Sequence, residues 1–78
     1  MDLPDDLIAL ERAAEEQRAK LAGLDGAEYD AQHQAWRKAA QAAQAAITDY
    51  AKTAGEPRSS VEMALKAAVR HTREDPAE

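Results

Sequence analysis

The sequence contains no cysteine and no phenylalanine, and only one tryptophan and two tyrosines. Without cysteine there is no disulfide framework, no thiol nucleophile and no thiolate metal site. Leucine, isoleucine and valine together supply 10 of the 78 residues, a poverty that brings a chain towards the disordered range. Glycine and proline are also scarce, three of each, whereas alanine occurs 20 times and the apolar residues recur with a 3.6-residue period. An alanine-rich helical protein is the better reading. No apolar run approaches the roughly 18–20 residues of a membrane span. The opening Met1-Asp2-Leu3-Pro4-Asp5-Asp6 is acidic where a secretory signal is basic and then apolar. The expectation is a soluble cytoplasmic protein without a membrane partner. The heavy use of alanine, with arginine ahead of lysine, points to a bacterial genome rich in G and C.

The length allows one small domain, here residues 1–73, with 74–78 a frayed tail. Its net charge is −5. A core below about 80 residues rarely supplies more than ~3–5 kcal/mol, and only 14 large apolar side chains lie between Leu3 and Val69. Such a core has little surplus with which to hold a strained active site. Either the helices pack closely or a second subunit completes the core.

The fold class is all-α, with three helices over about 4–22, 27–54 and 60–72. The first opens on Pro4, Asp5 and Asp6, suited to a helix start. Its seam is Leu3, Leu7, Leu10, Ala14, Gln17, Leu21 and Leu24, and Gly23 is its expected left-handed cap. The second runs from an Asp25–Glu28 capping box to Gly55 and Pro57. Its seam is Tyr29, His33, Trp36, Ala40, Ala43, Ile47, Tyr50 and Ala54, alternating steps of four and three as in a coiled coil. The third begins at a Ser59–Glu62 capping box and buries Val61, Ala64, Leu65, Ala68 and Val69.

At about 1.5 Å per residue these helices measure roughly 28, 42 and 20 Å, and short connections make neighbours antiparallel. The expectation is a long central helix with the two shorter ones packed along it. The first helix would start beside the N-terminal end of the second and the third would fold back from the other end, so that the short helices barely overlap. On a helical wheel the non-polar arc of the second helix then spans roughly 200°, about twice what one neighbour covers. Half of it is the aromatic seam, and the other half is a ridge of Ala31, Ala35, Ala39, Ala42 and Ala46.

That excess predicts self-association, most simply a two-fold homodimer in which the long helices meet, or docking of another helical protein. The candidate interface comprises Ile8, Tyr29, Ala35, Trp36, Ala39, Ala42, Ala46, Ile47, Tyr50 and Met63, with the aromatics as anchors. Ile8 enters because it sits about 100° off the first seam, and Met63 because it lies off the third helix's buried face.

No residue pattern calls for catalysis, a metal or a cofactor. Asp30-x-x-His33 would be half of a helical di-metal site, but such a site needs carboxylates and a second such motif on facing helices. His33 reads instead as a boundary residue hydrogen-bonded to Gln17 or Asp25, and His71 as a cation at a helix end. Ser59 and Ser60 are explained by capping, and no phosphate-cradling or nucleophile-elbow motif is present. The function read from the sequence is a non-enzymatic interaction or assembly module.

The alternative is a small DNA-binding regulator using the basic third helix, with Arg58, Lys66, Arg70 and Arg73 as candidate contacts. The stretch from Asp49-Tyr50-Ala51-Lys52 through Gly55 and Ser59-Ser60-Val61-Glu62 to Leu65 resembles the paired helices of ribbon-helix-helix repressors. The base-reading strand of that family has no counterpart here, because 27–46 reads as helix, and the net charge of −5 opposes phosphate affinity. Leu3-Pro4-Asp5-Asp6-Leu7, the central Trp36 and Ala68-Val69-Arg70-His71 together resemble small uncharacterised actinobacterial helical proteins. That resemblance implies no particular activity.

Overall fold

A computed structural model describes residues 2–74, with side chains described through Arg70. Three helices are present, α1 (Asp5–Ala19), α2 (Gly26–Ala54) and α3 (Arg58–Glu74), and no strand occurs among the described residues. The fold is all-α. No helix is long and apolar enough to cross a membrane among the described residues.

Helix α1 starts where Pro4 holds φ at −62°, and the Pro4 carbonyl accepts the amides of Leu7 and Ile8 at 3.1 and 3.2 Å. Asp5 and Asp6 lie in its first turn, against the positive end of the helix dipole. The helix ends at Ala19, three residues before the position that the apolar spacing suggests. Leu21 and Leu24 keep the spacing and stay half-buried, but they do so from a turn. Helix α2 matches its expected bounds closely. Asp25 sits at its N-cap but makes no side-chain hydrogen bond there, so the capping box with Glu28 does not form. At the other end Gly55 adopts φ +70° and the Glu56 amide reaches back to the Ala51 carbonyl at 3.0 Å, a Schellman-type ending.

The start of α3 differs from expectation. Pro57 supplies the carbonyl that accepts the amides of Ser60 and Val61 at 3.1 and 3.3 Å, so the helix begins at Arg58 and Ser59 is inside it. Glu62 is held instead by the Arg58 guanidinium, Nε to Oε2 at 3.0 Å. The serine cap box is therefore replaced by a proline start and an i,i+4 ion pair. Of the tail expected at 74–78, Glu74 belongs to α3, and residues 75–78 lie outside the described residues.

Two contacts fix the order of packing. Gln32 at one end of the α1–α2 pair donates to both the backbone and side-chain oxygens of Gln17, at 2.7 and 2.8 Å. At the other end the Tyr50 hydroxyl donates to the Asp2 carbonyl at 3.1 Å. Helix α1 thus starts beside the C-terminal end of α2, not its N-terminal end, as an antiparallel hairpin must when the connection joins α1's last turn to α2's first. Helix α3 also starts from that end. The two short helices run parallel and overlap, and Leu7, Ile47, Ala51, Val61 and Leu65 from all three helices close one core cluster.

The molecule measures 42 × 34 × 18 Å, its longest dimension equal to that of α2 at about 1.5 Å per residue. Its radius of gyration, 13.9 Å, exceeds the value of about 11.5 Å usual for a compact chain of this length. The result is a slab. Helix α3 lies along α1 and over the C-terminal part of α2, on one side of the pair only.

Candidate interaction surface

The position of α3 decides which faces of α2 stay open. Arg58, at its start, donates to the Thr48 hydroxyl at 3.1 Å. Further along, Lys66 approaches Glu11, and Gln44 shares a groove with both. These contacts lie on the flank of α2 that carries Gln44 and Thr48. The opposite flank, beside α1, carries the alanine ridge. There Ala31, Ala35 and Ala42 are exposed and Ala39 and Ala46 half-buried, and among the described residues no helix crosses over them.

The ridge is edged by two unlike charges. Lys38 and Asp49 are both exposed, and among the described residues neither has an ion-pair partner in the chain. Between Ala31 and Ala46 the helix carries Arg37 and Lys38 and no carboxylate. A shallow concavity of about 500 Å³ follows this part of α2, lined by Ala31, Gln34, Ala35, Arg37, Lys38 and Gln41.

The structure separates the ten candidate interface residues into groups. Ile47, 2% exposed, belongs to the core and is withdrawn from the surface. Ile8 packs against that same core. Its 100° offset from the α1 seam is the flank that α3 covers, as Glu11, three residues on, shows by facing Lys66. Tyr50 also packs against the core and is tied down by its bond to Asp2. Met63 is 74% exposed but stands on α3, away from the ridge.

Tyr29, 39% exposed, remains accessible near the start of α2, whereas Trp36 is half-buried and lines a groove with Arg18 of α1 and Lys66 of α3. The two aromatics sandwich His33, which stacks on Tyr29 with ring centroids 6.0 Å apart and meets Trp36 edge-on at 5.3 Å. His33 therefore packs between aromatics. The side chain of Gln17, one of its two expected hydrogen-bond partners, is held by Gln32 instead.

One buried group has no forewarning in the sequence. Glu11 is 8% exposed and lines the groove of about 280 Å³ between α1, α2 and α3, together with Trp36, Gln44 and Lys66. On the wheel it adjoins the leucine seam, where a carboxylate reads as solvated. Only the passage of α3 covers it.

Among the described residues no three His, Asp or Glu side chains come together as a metal site would require. The candidate nucleic-acid contacts are dispersed in role. Arg58 is engaged by Glu62 and Thr48, Lys66 lies 3.8 Å from Glu11, and Arg70 is exposed. The side chains of Arg73 and His71 lie outside the described residues. Comparison of the chain with known protein families, with curated proteins and with solved structures returns no match.

Proposed function

We propose that this protein is a non-enzymatic assembly module that packs a partner helix along the open face of α2. The observation that carries the reading is the exposure of Ala31, Ala35 and Ala42, with Ala39 and Ala46 half-covered, on a helix whose other side is already in the core. Side chains this small let helix axes approach to the lower end of the usual range of about 8–10 Å. Tyr29, exposed near the start of α2, is a residue type enriched where binding energy concentrates. The basic face of α3 supports a nucleic-acid role less well, since Arg58 and Lys66 already sit beside carboxylates.

The absence of natural cysteine gives a direct test. Ala35→Cys is labelled with a maleimide in cells expressing the chain and in dilute purified protein. Protection in cells with full reactivity in dilute solution is the expected result. Full reactivity in both overturns the assembly role.

A further inference from the structure

Resting on that assembly role, we infer that the helix seated on α2 belongs to a second copy of this chain, antiparallel and related by a two-fold axis passing near Ala42. The two unpaired charges at the ridge give the direction. Lys38 and Asp49 lie on one flank of the open face, about 20° apart on the helical wheel. A two-fold axis perpendicular to two facing helices brings like flanks together. With the axis near Ala42, Lys38 of each copy comes within one helical turn of the second copy's Asp49, so the contact forms twice. A parallel pair turns opposite flanks together. In that arrangement Lys38 faces the α1 side of its partner, and Asp49 lies about 16 Å further along the axis, so the pair does not form. The stretch from Ala31 to Ala46 carries no carboxylate, so the antiparallel overlap introduces no acid-on-acid contact there.

A self-complementary face satisfies two-fold symmetry with no further partner.

The test combines mass with cross-linking. Light scattering over a tenfold concentration range is expected to give a dimer. In the cysteine-free background, oxidised Ala42→Cys is expected to form a covalent dimer. Ala31→Cys is expected to stay unlinked, because antiparallel copies hold those positions about 33 Å apart along the axis, far beyond disulfide reach. Lys38→Asp is expected to raise the dimer dissociation constant about tenfold, as two exposed ion pairs turned repulsive should, and adding Asp49→Lys to recover it. A dimer that cross-links through Ala31→Cys is parallel and overturns the inference, as does a dissociation constant that Lys38→Asp leaves unchanged. A monomer at every concentration, with Ala35→Cys still protected in cells, overturns the second copy but spares the assembly role. A monomer whose Ala35→Cys is unprotected in cells overturns both.

Discussion

Glu11 of α1 and Lys66 of α3 face each other with Oε2 3.8 Å from Nζ, the glutamate side chain nine-tenths buried and the lysine side chain 63% exposed. The pair is lopsided. A carboxylate largely removed from water has one loosely held cation, itself mostly solvated, to offset its lost hydration. Exposed partners contribute at most about 1 kcal/mol, and burying a charge costs several times that unless it is well paired.

Glu11→Leu is therefore expected to stabilise the protein. The substitution would extend the apolar surface between Leu7 and Ala14 and remove the desolvation cost. A gain of about 1 kcal/mol would raise Tm by roughly 4–8 °C in a domain of this size. Lys66→Ala should lose no more than ~0.5 kcal/mol. Thermal melts followed by circular dichroism decide; a Glu11→Leu variant that melts lower would show the pair to be net stabilising.

Leu65 and Met63 sit two residues apart on α3 with opposite surroundings, 1% and 74% exposed. Leu65→Ala should cost ~2–4 kcal/mol, most of what a core this small supplies. Met63→Ala should stay within about 0.5 kcal/mol of wild type. Urea midpoints for the two variants measure the contrast. Equal losses would mean that α3 is not docked by the face described.

Ser59→Ala discriminates between two accounts of how α3 starts. A serine N-cap removed by alanine costs about 1 kcal/mol. With Pro57 providing the start and Ser59 inside the helix, the change should be below ~0.5 kcal/mol or slightly favourable, since alanine is the better helix former. Chemical denaturation of the single variant is sufficient, and a full capping loss would return the helix start to Ser59.

Gly55→Ala should cost about 1–2 kcal/mol, because φ is +70° there and a Cβ is disfavoured in the left-handed region. Helicity at low temperature should be unchanged, while the midpoint of unfolding falls. Gly55→Asn, which introduces a residue tolerant of this conformation, should recover part of the loss.

What the sequence discloses follows from which interactions are local. Gly55 marks the end of α2 because a positive φ is a property of one residue. The ends of α1 and α3 depart from expectation where a pattern has two readings. Leu21 and Leu24 satisfy a helical seam and equally well a turn that lies over it. Ser59-x-x-Glu62 is a cap box unless a proline two residues earlier starts the helix first. The burial of Glu11 and the loss of Ile8 and Ile47 to the core have no local signal. They depend on which neighbour crosses which flank, and α3 comes to α1 from some fifty residues away in the chain. The alanine ridge is visible as composition on a wheel, and its openness follows only once α3 has taken the other side.

The separation of contacts along the chain also dictates how the molecule assembles itself in time. The α1–α2 hairpin is closed by a turn of six residues and can zip from Gln17–Gln32 downward, through contacts ever further apart in sequence, until Tyr50 meets Asp2 across 48 positions. Helix α3 then has only a three-residue hinge to close before Val61 and Leu65 reach Leu7. Such a chain should collapse in the microsecond-to-millisecond range of local helical topologies. Its last-made contact, at Asp2, should be the first to open, so amide exchange in the native state is expected to be fastest where the N-terminus leaves Tyr50 and slowest around Ile47 and Leu65.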